Sequence, residues 1–515
     1  MPRGGIAALV VAGWLAASGG GAARAEDVRA VQAGSTASVA AGGSATPAAA
    51  APGPAVAPVQ SSDDCFFVRL GEAFWTSLNS PAFVASPTVV PGTPPASKRR
   101  VPKAPFDSPP YPVPEFFLGG TPTIGDPNVG APYPTVLMQA LYGAPFGEWL
   151  RESRLQIYGW INPGANVSSS HESNLPVGYF VRPNEVELDQ IALYFDRRPD
   201  EAQQDELDWG FRFASIYGLD YRFTTMKGIL SEQLLNANKD GNPPGNLYGY
   251  DPIMAYVDLY IPFVAEGMNI RAGRFISLPD IEAQLAPDNL MYSHSILYAF
   301  DIFTQIGIVA TVKLTDSWTV QLGIAGGNDI APWEHRAISV PEIPERVPDH
   351  GAQPTLDLMV QWISADAMDS IYAGVNGIND GDYGYNNIQE CPIGTWTHKF
   401  DETFWMATEA YYMFERNVPL LGFTWEVGAV NYFVARLSGD CFLTLRNEFF
   451  DDGKGQRTGH KTIYSEHTVG VTYWFNRIMT FRPEVRFDHA YNLPAYDNGT
   501  RRSQVLLAAD LIFHF

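Results

Sequence analysis

The sequence predicts an all-β protein: a transmembrane antiparallel β-barrel of about 16 strands, preceded by a disordered Pro/Ala-rich segment. Three observations carry this. The first residues read as an export signal, and no later stretch could cross a membrane as a helix. From about Leu155 onward, apolar and polar residues alternate with a period of two. The connections between these alternating runs are short and long by turns.

Residues 1–25 hold Arg3, an apolar run from Ile6 to Ala17 and a closing Ala23-Arg24-Ala25, the pattern of a secretory signal peptide cleaved near Ala25. As a membrane anchor the run is too short and is interrupted by glycine. Residues 26–61 are mostly Ala, Gly, Pro and Ser with little to bury, a disordered linker. Residues 62–80, "SDDCFFVRLGEAFWTSLNS", place Phe67, Leu70, Phe74 and Leu78 near helical spacing behind Ser62 as N-cap. They predict a short amphipathic helix resting on the main domain, with a plug in a barrel lumen as the alternative. Residues 81–150 are again proline-rich and predict an extended connector.

The barrel is expected over residues 151–515. In "MTFRPEVRFDHAY" the residues Phe481, Pro483, Val485 and Phe487 alternate with Arg482, Glu484, Arg486 and Asp488. A soluble sandwich would turn the charged face outward; a membrane barrel turns it into a wet lumen and sets the apolar face against lipid. "LDWGFRFASIYGLDYRFTT" divides the same way across Gly218, so residues 209–225 predict one long strand. Short connections fall at 263–268, 315–317, 364–369, 400–403, 437–440 and 475–477, and longer ones at 169–184, 228–250, 277–304, 330–353, 416–426, 451–462 and 491–502. Tight turns on one rim and extended loops on the other are what an outer-membrane barrel has. The last strand, "QVLLAADLIFHF", aligns Leu511, Phe513 and Phe515 on its apolar face. It resembles the C-terminal signal that such barrels present to their assembly machinery. The expected location is the outer membrane of a Gram-negative-type bacterium, in contact with outer-membrane lipid.

The 34 basic and 56 acidic residues give a net charge of −22, which argues against a nucleic-acid partner. Cys65, Cys391 and Cys441 are too few and too scattered for a disulfide framework or a metal site, and no cofactor is expected. No catalytic constellation stands out either. His294 lies between two serines with no accompanying carboxylate or nucleophile elbow in the sequence, and "GIAGGND" has no helix after it to make a phosphate loop.

With these features in place, "RLQIYGWINPGANVSSSHESNLP", "GRFISLPDIEAQLAPDNLMYSHS", "GGNDIAPW" and "TEAYYMFERN" resemble the porin-2, OmpL-like family of β-barrels, over about Arg151 to Phe515. The resemblance implies an outer-membrane, porin-like barrel through which small polar solutes pass; it does not name the solute. By strand phase the candidate pore-lining charges are Arg212, Asp220, Arg222, Asp258, Lys313, Asp357, Glu409, Arg446, Glu448, Arg482, Glu484, Arg486 and Asp488. They either set up a transverse field across a channel or pair with one another to stiffen the wall. Residues 277–304 carry Asp280, Glu282, Asp288 and Asp301, which would narrow the channel and favour cations if the loop folds inward, and are surface charge if it packs outward. Trp318, Tyr412, Tyr473 and Trp474 suit interfacial girdles or the lumen. A weakly selective diffusion channel is the leading reading, with a non-conducting structural or adhesive barrel and a soluble secreted β-protein as alternatives. Homo-oligomerisation is left open.

Overall fold

A computed structural model describes residues 65–82, 134–230, 246–335, 351–384, 386–401 and 403–515. The expected signal peptide, linker and most of the connector lie outside these residues.

Sixteen antiparallel strands close into one barrel: β1 Gln156–Ser168, β2 Val186–Arg197, β3 Asp208–Gly218, β4 Gly249–Ile261, β5 Met268–Ile276, β6 Thr304–Lys313, β7 Trp318–Asn328, β8 Thr355–Ile363, β9 Asp369–Ile378, β10 Gln389–Lys399, β11 Phe404–Val418, β12 Gly422–Ser438, β13 Cys441–Asp452, β14 Ile463–Asn476, β15 Met479–Ala490 and β16 Ser503–His514. Each strand pairs with its neighbours in sequence, and β16 returns to β1 with Trp160 opposite His514 and Ser168 opposite Leu506. Closure leaves no unpaired edge, the condition for β-structure in lipid.

The alternation of residue type decides which face is which. On β15, Thr480, Arg482, Glu484, Arg486 and Asp488 are buried inside, while Val485 and Phe487 are exposed outside. Proline cannot donate to a ladder, and three of the strand prolines fall where pairing is irregular. Pro163 sits at a register shift against β2, and Cys391-Pro392 spans one in β10. A third shift, opposite Ser215, takes in Pro252 and Ile253 of β4.

The alternation of short and long connections holds, with two corrections. The strand expected over 209–225 ends at Gly218, whose backbone turns to φ +155°, and a short helix, Tyr221–Thr224, follows. Leu219 and Tyr221 are therefore buried rather than on the lipid face. The long loop expected at 416–426 shrinks to residues 419–421 because β11 and β12 extend toward each other. Connections at 198–207 and 379–388 complete the two rims.

Before the barrel come helices α1 Phe66–Leu78, α2 Val136–Tyr142 and α3 Gly147–Glu152, so the final part of the expected extended connector is helical. Helix α1 begins after Cys65 at the N-cap position, and Ser62 lies outside the described residues. It buries Arg69, Ala73 and Ser77, a stripe of spacing four. Arg69 Nε donates to the Ala140 carbonyl at 3.0 Å and Gln139 Nε2 to Ser77 Oγ at 3.0 Å, which fixes α1 on α2. Leu70 and Leu78 join Ile478, Met479 and Phe515 at the short-turn rim. Phe67 and Phe74, expected on the buried face, are exposed. The helix packs on the rim, which removes the observation that would have favoured a plug.

Candidate functional site

The connection between β5 and β6, residues 277–303, turns into the barrel and is buried along almost its whole length. Its shape starts from local chemistry. Asn289 accepts from the Ala283 amide at 2.9 Å and donates back to the Ala283 and Leu285 carbonyls, closing a turn that contains a 3-10 segment, Ala286–Asp288. Ser295 then caps a single helical turn, Ile296–Ala299, accepting from the Tyr298 amide at 3.0 Å.

The wall receives this loop through charged side chains. Arg482 Nη1 donates to the carbonyls of Ala286 and Asn289 at 2.6 and 2.9 Å, while its Nε donates to Asp510 at 2.9 Å. Glu484 accepts from the amides of Tyr292 and Ser293, both at 3.1 Å. Arg446 donates to Ser293 Oγ at 2.7 Å and to Glu466 at 3.1 Å. Arg486 donates to the His294 carbonyl and, at 2.8 Å, to Asp488. Glu448 accepts from Ile296 at 2.8 Å and from Leu297, the first amides of the helical turn, and Glu409 accepts from the Ile281 amide at 2.7 Å. Six of the residues singled out by strand phase thus converge on one loop.

The others lie elsewhere. Arg212 pairs with Asp196 at 2.7 Å and Asp258 with Arg271 at 2.9 Å, both inside the barrel. Asp357 accepts from the Gly377 amide at 2.8 Å, and Lys313 is buried on the inward face of β6. Asp220, beyond the end of β3, accepts from Gln190 at 2.7 Å. Arg222 is on the helix after β3 and donates to the Asn246 carbonyl at 2.9 Å, so strand phase misassigned it. The two signs do not form opposed rows. Arg446, Arg482 and Arg486 are interleaved with Glu448, Glu466, Glu484, Asp488 and Asp510 on the same wall, β13 to β16.

Within the loop, Glu282 meets His294 Nδ1 at 2.7 Å and the Ser295 amide at 3.0 Å, with Tyr432 and Arg446 also in contact. Burial alone would raise the Glu282 carboxyl; the His294 hydrogen bond and Arg446 outweigh it and hold it at about 2. Burial keeps the His294 ring below its ordinary value. Asp280 and Asp301 come together with Glu409, whereas Asp288 is buried near the other end of the turn. The outer loop before β2 adds a lid of rings: Tyr179 stacks on Phe223 at 4.4 Å and contacts His294 at 3.9 Å.

Strand phase alone missed Gln190, Tyr411 and Thr472, which bind the loop at Gln284, Leu297 and Leu290. A usable signal was present in three strand glycines. A Cβ at Gly164 would stand 2.0 Å from the Tyr292 hydroxyl, at Gly428 2.9 Å from Leu297 Cδ1 and at Gly470 3.0 Å from Met291 Cε. Of the four aromatics expected at girdles, Trp318 is exposed at a strand end, but Trp474 is buried against Phe442 at 5.1 Å between centroids.

Residues 154–515 match the family described as "Putative beta-barrel porin-2, OmpL-like". No curated protein matches the chain. Similar solved structures include the anion-selective porin from Comamonas acidovorans, 9% identical over 70% of this chain and 99% of that one, with a TM-score of 0.44. A loop L8 deletion mutant of OmpT from Vibrio cholerae is 9% identical over 70% and 99%, with a TM-score of 0.43. The outer membrane channel DcaP of Acinetobacter baumannii is 10% identical over 70% and 97%, with a TM-score of 0.41.

Proposed function

Since the chain belongs to the OmpL-like porin-2 family of β-barrels, we propose that it is an outer-membrane channel for passive diffusion of small polar or charged solutes, weakly favouring cations. The short-turn rim then faces the periplasm and the long-loop rim the exterior. The observation that carries the reading is the loop 277–303, folded into the barrel and fixed to the wall by paired charges, which is how a diffusion channel acquires a constriction. The cation preference rests on acids of the interior that keep unpartnered oxygens and have no ion pair among the described residues, such as Glu187, Asp189, Asp280 and Glu390. Unpartnered carboxylate oxygens attract cations and repel anions of similar size.

A second reading, a non-conducting structural barrel, draws on one specific observation. The inward side chains of Arg446, Arg486, Asp357 and Gln361 are all at or below 1% exposed, so loop and wall together leave them little open space.

Planar-bilayer recording of the refolded protein separates the two. The channel reading expects discrete conductance steps and a reversal potential of cation sign under a salt gradient. It also expects Arg482→Gln, which loosens the loop at Ala286 and Asn289, to raise the conductance. A barrel shown to be folded yet electrically silent would favour the structural reading.

A further inference from the structure

The sequence offers no metal-ligand spacing, but the fold brings three distant carboxylates to one point. Asp280 lies at the entry of the inward loop, Asp301 at its exit and Glu409 on β11, and one oxygen from each lies within 4.8 Å of the others. All three are nearly fully buried, at 3%, 1% and 1% exposure. Neither oxygen of Asp280 has a hydrogen-bond partner, and Asp301 Oδ2 and Glu409 Oε1 are likewise bare. A fourth acid adds an independent sign. Glu390 of β10 is fully buried, sits within electrostatic reach of Asp280, Asp301 and Glu409, and leaves its Oε1 without a partner. Among the described residues no Lys or Arg forms an ion pair with any of the four; Arg457, whose charge reaches Asp301, pairs with Glu426 at 3.5 Å.

Buried carboxylates without a counter-charge are strongly unfavourable, so the cluster must either take up protons or hold a cation. The donor set is all oxygen, the choice of hard divalent ions. Calcium binds oxygen at about 2.3–2.6 Å, so ligand atoms around one ion lie within about 5 Å of each other, the spacing found here. We propose that Asp280, Asp301 and Glu409, with Glu390 close by, bind a divalent cation of the calcium class that clasps both ends of the inward loop to the β10–β11 wall. The ion would complement the anchors on β13 to β15 from another part of the barrel and make the loop's position depend on divalent cations. The proposal concerns binding and stands whether or not the barrel conducts. In the absence of an ion, burial drives the Asp280 carboxyl up, with the Asp301 charge adding to it, and burial brings Asp301 to about 6, which makes a shared proton the competing arrangement.

Calcium titration of the metal-stripped full chain in detergent, by isothermal calorimetry near neutral pH, tests this without any current being measured. The expected result is one saturable site per barrel. Asp280→Asn and Glu409→Gln should each weaken binding by roughly tenfold to a hundredfold or more, since even outer-shell changes at metal sites cost that much. Glu72→Gln, an exposed acid on α1 outside the barrel, should leave binding unchanged. Heat-dependent electrophoretic mobility reports that each variant is folded. Absence of a saturable site in the unaltered protein would overturn the proposal in favour of the shared proton. Equal binding in folded Asp280→Asn and Glu409→Gln would overturn it by placing the ion elsewhere.

Discussion

Glu282 and His294 are twelve positions apart in one loop and meet inside the barrel with Nδ1 2.7 Å from the carboxylate. The contact holds the loop in a closed turn, and Glu282 also receives the Ser295 amide and the Tyr432 hydroxyl. With the ring kept neutral by burial, its Nδ1–H donates to an ionised Glu282. The pH dependence has one sign for both groups. The folded carboxyl sits at about 2, below the ordinary value of about 4.3, so its stabilisation is present above about pH 4 and is lost as pH falls through the folded value. The His294 ring is held down in the fold, so the unfolded chain takes up a proton first, near about 6.5, and stability falls as pH drops through that point. Glu282→Gln should lower stability at neutral pH by about 1–3 kcal/mol and flatten the acid slope below about pH 4. Denaturant midpoints in detergent across pH measure both; an unchanged slope would remove Glu282 from this role.

Gly164 is the place where β1 lets the loop approach. A Cβ there would stand 2.0 Å from the Tyr292 hydroxyl and 2.3 Å from the Asp189 carboxylate. Gly164→Val should therefore displace the loop around Tyr292, which Glu484 holds by its amide at 3.1 Å. The barrel should still form, because β1 keeps its pairing with β2 and β16. Overpacking of this kind costs about 1–3 kcal/mol. Calorimetric melting of the variant should show the loss, and conductance should change with it. Unaltered melting together with unaltered conductance would mean that the loop has room to spare at this point.

How much was legible follows from the physics of each element. Alternation is imposed residue by residue by the two faces of a strand, so β15 and β16 could be read directly from Phe481 to Asp488 and from Val505 to Phe515. The bend at Gly218 was not, because Leu219, Tyr221 and Phe223 continue the apolar phase of β3, whereas Leu219 is buried beyond the strand end and Tyr221 and Phe223 belong to a helical turn. Phase likewise gave Arg482 and Glu484 their inward face but not their work. Whether a lumen charge meets water or a backbone amide depends on where a loop beginning at residue 277 ends up, and that is a tertiary fact. The meeting of Asp280, Asp301 and Glu409 has the same origin, since no spacing rule links a loop entry, a loop exit and a strand five connections further along the chain. On α1 the bulky Phe67 and Phe74 suggested the buried face, but close packing of two short helices selected the stripe of Ala73 and Ser77 instead.

The seam of the barrel gives the last prediction. Phe515 exchanges two backbone hydrogen bonds with Gly159 of β1, its N–H donating to the Gly159 carbonyl at 2.9 Å and its carbonyl accepting from the Gly159 amide at 3.2 Å. A Cβ at position 159 would fall 2.7 Å from Phe515 Cζ and 2.0 Å from the Ala192 carbonyl, so ring and glycine occupy one another's space. The ring also touches the cluster that seats α1 on the rim. Phe515→Ala keeps the backbone pair but removes this packing, and the cost for a large-to-small change at a partly buried ring is about 1–3 kcal/mol, below the range for a full core site. Gly159→Val strains the seam itself and should act more strongly, through barrel closure. Refolding yields into detergent, read by heat-dependent electrophoretic mobility, should fall in the order unaltered chain, Phe515→Ala, Gly159→Val. A Phe515→Ala chain that refolds normally in detergent but fails to reach the outer membrane in cells would assign the ring to recognition by the assembly machinery, whereas equal losses in both settings would assign it to the seam.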